Sequence, residues 1–248
     1  MFGLMDWVDW HSVYRFQRKR FSTLRALLRC LRKDLRRTAS RALLHRYIEN
    51  DDRGLEIGAG ETTIAPIRQT VLSDAYPDHA GAQTLAREFF PAERIPYPDG
   101  HFDFLVNEHV LEHLPDPIQG LKEWRRVLRP GGILFITLPH PARTFDRNRA
   151  ITPLEHLMSD HDRGVDSLED FHWPEWKEKV IDAGLAPHYQ PYSKEETLQN
   201  NLIHRHVFVP ETLGALLKSL SFEVRETIEP APDRSDSFIV IAEKTPAN

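Results

Sequence analysis

Two short stretches of this sequence carry residues that could grip a nucleoside ligand. The first is Leu55-Glu56-Ile57-Gly58-Ala59-Gly60-Glu61-Thr62. Gly58 and Gly60 lack a Cβ, so the backbone there can turn sharply and approach a ligand closely. A dinucleotide loop reads G-x-G-x-x-G/A, with a pyrophosphate on the following helix. Thr63 stands at the third position, so that fingerprint is incomplete. The second stretch ends at Asp74, 16 residues after Gly58. A carboxylate closing a strand there can accept two hydrogen bonds from a ribose diol.

A third set of residues is rich in imidazoles. His109-Val110-Leu111-Glu112-His113 matches H-x-x-E-H, an inverted zinc-protease pattern of high false-positive rate. His204 and His206 share a face if their segment is extended. With His156, Asp160 or His161 they could hold a divalent ion. No ligand spacing compels one, and no metal is expected.

These groups need elements to position them. From Asp51 onward, strands and helices alternate, which argues for a doubly wound α/β sheet. Arg53–Ile57, Thr70–Asp74 and Phe102–Asn107 read as strands. Thr62–Gln69 can start a helix, with Pro66 limiting its first turn. Ile118–Leu128 is an amphipathic helix stopped by Arg129-Pro130-Gly131-Gly132. Ile133–Leu138 is almost wholly apolar, as in the middle of a parallel sheet. Residues 140–205 lose the alternation and read as an inserted lid. Pro210–Leu220 is a helix, and Phe222–Thr227 and Ser237–Ala242 could pair antiparallel.

The segment Ile95-Pro96-Tyr97-Pro98-Asp99-Gly100-His101-Phe102-Asp103 is followed by Asn107-Glu108-His109-Val110-Leu111-Glu112-His113-Leu114. Arg126-Val127-Leu128-Arg129-Pro130-Gly131-Gly132 comes next. In order and spacing these resemble the class I S-adenosylmethionine (SAM)-dependent methyltransferase family, whose members read LPFPDGSFD, HVLEHL and RVLKPGG. The resemblance covers residues 53–139 and the closing strands 221–242, and it accounts for the H-x-x-E-H match. It implies a Rossmann-like seven-stranded sheet ending in an antiparallel pair. It also implies that Glu56, Gly58, Ala59 and Gly60 flank the methionine part of SAM and Asp74 holds the ribose. Ala92 would face the adenine, and Asn107, Glu108 and His109 would lie near the amino-acid end and the methyl group. The family's usual adenine-contacting Asp is replaced here by Pro91. The stretch from Asp74 to Asp103 is also short. Both departures leave a non-catalytic binding or scaffold protein on the same fold as the alternative.

Residues 144–164 and 204–213 are similar, more softly, to methyltransferases encoded among bacterial surface-polysaccharide genes. That suggests a sugar, glycan or other small polar acceptor. Asp146, Arg147, Arg149 and His156 are the acceptor-binding candidates, the arginines suiting an acidic or phosphorylated sugar. His109 and His140 are the candidate general bases, because imidazole titrates near neutrality.

The remaining organisation follows from charge and composition. Residues 1–50 carry twelve Lys and Arg against four Asp and Glu, whereas the whole chain has a net charge of −5. The apolar stripe Phe21, Leu24, Leu28, Leu31 and Leu35 runs beside Arg18, Arg25, Arg29, Arg32 and Arg36, within a predicted helix over 12–48. This basic arm could meet an anionic membrane surface, dock a partner or pack on its own domain. The rest of the chain is acidic, with no aromatic-basic surface, so a nucleic-acid partner is not expected. No membrane-spanning run or secretory signal is evident, and Cys30 is the sole cysteine, which points to a cytoplasmic protein. The expected organisation is an arm (1–50), a SAM-binding core (51–139), an insertion (140–205) and the end of the core (206–248).

Overall fold

Apolar runs place the middle of the sheet. In the computed structural model, which describes residues 37–79, 82–164, 171–189 and 192–246, seven strands form one sheet. They are β1 (Gly54–Ile57), β2 (Thr70–Asp74), β3 (Glu88–Phe89), β4 (Phe102–Glu108), β5 (Leu128–Pro139), β6 (Phe222–Ile228) and β7 (Ser237–Lys244). Their order is β3-β2-β1-β4-β5-β7-β6. Neighbours from β3 to β5 are parallel, and β7 runs antiparallel to both β5 and β6. The continuous apolar runs at 104–106 and 133–136 are buried because helices cover both faces. The strand order reverses between β1 and β4, which opens a crevice at their carboxyl ends.

The helices are α1 (Thr38–Leu44), α2 (Pro117–Val127), α3 (Leu154–Arg163), α4 (Trp173–Trp176), α5 (Lys194–Gln199) and α6 (Pro210–Ser219). Asp116 caps α2 by accepting from the Gln119 N–H, with Pro117 in its first turn. Leu121 and Trp124 of α2 share a core with Leu216 and Leu217 of α6. On the other face Leu43 and Leu44 of α1 and nearby Ile48 pack with Ile64, Phe104, Phe135 and Ile241. Residues 38–48 are thus part of the packed domain. The stripe from Phe21 to Leu35 lies outside the described residues.

The helix expected over Thr62–Gln69 is absent. The chain stays irregular to Pro66 and makes a single 3₁₀ turn at Ile67–Gln69. Pro66 cannot donate, and the β-branched Thr62, Thr63 and Ile64 disfavour helix. Glu56 takes the N–H groups of Ile64 and Ala65 at 3.2 and 3.0 Å. Between β2 and β3 the described residues form no helix, only a short antiparallel pair, Asp78–His79 with Ala82–Gln83. The insertion is more regular than its sequence suggests. It holds α3, α4 running into a π turn (Lys177–Asp182), and α5, around Trp176, Val180, Ala186, Leu198 and Ile203.

Arg126 shows why the family-like segments sit together. Its guanidinium donates to Glu123, Asp99 and the Tyr97 and Ile95 carbonyls, so α2 clamps the 95–99 turn. Trp124 Nε1 donates to the Ala92 carbonyl at 2.9 Å and fixes the chain after β3.

Candidate functional site: a cavity at the carboxyl ends of the strands

A cavity of about 850 Å³ lies at the crevice between β1 and β4. Of the cofactor residues expected from sequence, Glu56, Gly58, Gly60, Asp74, Ala92 and Glu108 line it, as does His109. Gly58 has φ +75°, and a Cβ there would lie 2.2 Å from Val110 Cγ2. Only glycine fits that turn without displacing Val110. The loop is pinned beneath by the Gly58 and Ala59 N–H groups, which both donate to the Ser73 carbonyl at 2.9 Å. Glu56 lies under the loop and accepts from the Thr63 hydroxyl as well as from Ile64 and Ala65. Burial pushes its carboxyl up to about 7 despite these donors. Arg41 of α1 braces the same loop by donating to the Thr63 carbonyl at 2.7 Å.

Asp74 ends β2 at the cavity wall and accepts from the Tyr76 N–H at 3.1 Å. Phe90, Pro91, Ala92, Val110 and Leu114 make a mostly apolar stretch of wall next to it. Glu93 also lines the cavity, two residues after Pro91, and burial raises its carboxyl above the ordinary range. An acid is therefore present at this end although the position of Pro91 itself lacks one. Ala59 and Asn107 lie just behind the wall. Ala59 packs on Leu72 and Leu85, and Asn107 Nδ2 donates to the Ile57 carbonyl at 3.4 Å. Glu108 is held between two cations, Arg37 and Arg234, the second at 2.7 Å. Both arginines line the cavity. Arg234 is 126 residues from its partner, in a loop with no pattern that sequence reasoning could use.

The far wall comes from the insertion: Arg143, Thr144, Phe145, Tyr189, Leu198, Asn201 and His204. Phe145 meets Tyr189 edge-to-face at 5.9 Å and His204 at 4.5 Å. At the junction with the sheet, Glu112 is 1 % exposed and neither of its oxygens has a hydrogen-bond partner among the described residues. Burial pushes its carboxyl up to about 7. Three imidazoles surround it: His109 Nδ1 at 3.6 Å, His113 Nε2 at 3.9 Å and His204 Nε2 at 4.0 Å.

The partners of His109 fix its tautomer. The Ser237 hydroxyl donates to Asp236 Oδ1 at 2.8 Å, so it must accept from His109 Nε2, 2.9 Å away. Nδ1 is left unprotonated. Burial, reinforced by Arg234, holds this imidazole well below the ordinary 6.5. His109 is therefore neutral at physiological pH and can accept a proton. Its backbone has φ 53°, an uncommon conformation outside glycine and asparagine.

The other expected site residues lie elsewhere. His140 is not among the lining residues. Its Nε2 contacts Glu229 at 3.2 Å and its Nδ1 accepts from the Ala142 N–H. Asp146 and Arg149, read from sequence as acceptor ligands, are buried against each other at 2.9 Å. Arg149 also donates to Glu175 and to the His204 and Arg205 carbonyls, so its nitrogens already have protein partners. Burial alone would raise the Asp146 carboxyl, but His204 and Arg149 hold it below the usual range. This pair braces the segment carrying His204, to which Asp146 accepts at 2.6 Å. Arg147 is exposed and His156 lies on α3, both away from the cavity wall.

A methyltransferase domain family matches residues 70–136. A probable SAM-dependent methyltransferase of Mycolicibacterium smegmatis is 33 % identical over 137 residues, covering 51 % of each chain. A ubiquinone biosynthesis O-methyltransferase of Parvibaculum lavamentivorans is 32 % identical over 111 residues, covering 43 % of each. The chain thus spans about half the length, or less, of the curated relatives it matches. Among solved structures, a protein of Listeria monocytogenes proposed to be a SAM-dependent methyltransferase superposes with a TM-score of 0.50 at 12 % identity. It covers 86 % of this chain and 99 % of its own. The fold is the Rossmann-like seven-stranded sheet with an antiparallel end pair, and residues 70–136 of the chain match the methyltransferase domain family.

Proposed function

We propose that this chain catalyses SAM-dependent methyl transfer to a hydroxyl of a saccharide or similar small polar acceptor. The observation that carries the reading is one cavity whose walls run from Gly58 and Asp74 to Tyr189 and His204. The residues present suit SAM. Gly58 and Gly60 admit close backbone approach, and Asp74 can accept from a ribose diol. The stretch from Phe90 to Ala92, with Val110 and Leu114, can take a flat base. Arg37 and Arg234 offer positive charge where an amino-acid carboxylate would need it. When bound, SAM would supply a methyl group on a sulfonium, the acceptor oxygen bonding to the methyl carbon in line as the C–S bond breaks and the neutral thioether leaves.

The chain's own residues then orient the nucleophile, exclude water and take a proton. His109 Nδ1 is the acceptor of that proton, and the buried Glu112 beside it favours the resulting imidazolium. Ser237 holds the ring in the tautomer this needs. Aromatic faces at Phe145 and Tyr189, among Thr144, Asn201 and His204, suit a ring bearing hydroxyls. Oxygen as the methylated atom is supported by two relatives, the ubiquinone enzyme and a 27-O-demethylrifamycin SV methyltransferase of Amycolatopsis mediterranei, 41 % identical over 59 residues.

Incubation with methyl-tritiated SAM and a panel of sugars, sugar nucleotides and phenolic hydroxyl compounds tests this. Label is expected in saccharide hydroxyls. Label only in phenols, or in none while SAM binds, would overturn the acceptor assignment.

A further inference from the structure

Outside the cavity, four side chains from three parts of the fold meet beside the insertion. They are His156 and Asp160 of α3, His172 just before α4, and His206 on the segment leading to α6. One donor atom from each lies within 4.8 Å of all the others. Asp160 Oδ2 is 3.2 Å from His156 Nε2 and 3.1 Å from His172 Nε2. The donor atoms of a tetrahedral zinc site, each about 2.0–2.2 Å from the ion, are spaced roughly 3.3 Å apart. These two separations are already of that size.

The remaining donor atoms suit the same role. Asp160 and His206 are each 1 % exposed. Asp160 Oδ1 and His206 Nδ1 are buried with no hydrogen-bond partner among the described residues. The Pro115 carbonyl can only accept, so His206 Nε2, 3.4 Å away, carries the proton and Nδ1 keeps a lone pair. An outer hydrogen bond that fixes a ligand's tautomer in this way is usual around bound metals. A carboxylate this deeply buried needs a cation or a metal, and here imidazoles are its neighbours. His156 is 42 % exposed and leaves an entry path.

The geometry points to a divalent transition-metal site of zinc type at His156, Asp160, His172 and His206. Three imidazoles and one carboxylate suit Zn²⁺ better than Mg²⁺ or Ca²⁺, which prefer all-oxygen sets. Four protein ligands make the site closed and structural. Its work is to tie α3 and α4 of the insertion to the 204–206 segment. His204, two residues from the ligand His206, lines the cavity, and the Arg205 and His206 N–H groups both donate to the Glu112 carbonyl. The metal therefore sets the far wall of the cavity. The assignment does not depend on what the cavity binds.

The test uses the full chain with any purification tag removed, stripped with chelator and titrated with Zn²⁺ and, separately, Co²⁺. About one Zn²⁺ per chain should remain after dialysis, with a raised Tm. Co²⁺ should give the intense visible absorption of a tetrahedral site. Asp160→Asn and His206→Gln should weaken binding by more than the roughly 10- to 100-fold typical of losing an outer partner. His161→Gln, on α3 but outside the set, should bind normally. A far-ultraviolet circular dichroism spectrum of each stripped variant matching that of the stripped wild type separates lost binding from lost folding. Absence of stoichiometric Zn²⁺, or Zn²⁺ retained in folded Asp160→Asn, would overturn the assignment. So would Zn²⁺ lost only in His113→Ala, which would place the ion beside Glu112 instead.

Discussion

Gly58→Ala is expected to lose SAM binding and to destabilise the fold by roughly 2–5 kcal/mol. About 1–2 kcal/mol of this is the left-handed backbone, and about 1–3 is overpacking. The new Cβ would stand 2.2 Å from Val110 Cγ2 at φ +75°. Either the β1 loop or Val110 must move, and both are cavity wall. Denaturant unfolding with parallel SAM titration checks both effects. Gly58→Ala with Val110→Ala relieves the clash but not the backbone strain, so stability should recover in part. An unperturbed Gly58→Ala protein that binds SAM normally would show that the loop does not approach its ligand as closely as this geometry requires.

His109→Asn should lower kcat by roughly 10²- to 10⁴-fold, the usual worth of a positioned general base. The affinity for SAM should change little. Asparagine is the apt replacement because it tolerates the positive φ of this position, so the loop survives while the imidazole is lost. The wild-type pH profile carries a sign. Burial holds the His109 imidazole well below 6.5, so the base is already unprotonated at neutral pH. Protonation of His109 itself should appear as an acid limb below 6.5. That acid limb should vanish in His109→Asn. An acid limb centred above 7, or one unchanged in the variant, would assign proton transfer to another group.

Much of the cavity wall built by the sheet was legible in the sequence because it is local. Gly58, Gly60 and Asp74 announce themselves by residue type and by position at strand ends. The apolar strands at 102–107 and 133–138 declare a buried sheet by composition alone. The irregular 62–66 segment was half visible in Pro66, but the decisive partner, the Glu56 carboxylate on the Ile64 and Ala65 N–H groups, is a tertiary contact. The cavity wall built by the insertion was less legible because its groups converge from far apart. Arg147 and Arg149 look alike in sequence, yet one is exposed and the other is buried against Asp146. His140 sits beside cavity residues in the chain and turns toward Glu229. Glu112 was visible in its motif, but its ring of three imidazoles needs His204, 92 residues on. Arg234 could not be found from sequence at all, since nothing in its loop points to Glu108.

The central claim is that the crevice between β1 and β4 holds SAM on the Gly58 loop and the Asp74 carboxylate. Calorimetric titration of SAM into the wild type and Asp74→Ala tests it most directly. The wild type should show saturable one-to-one binding. Asp74→Ala should remain folded and lose roughly a hundredfold or more in affinity, because two hydrogen bonds to a charged acceptor are removed. No binding by folded wild type would make a non-catalytic scaffold on this fold the better reading. Equal binding by both proteins would put the cofactor elsewhere.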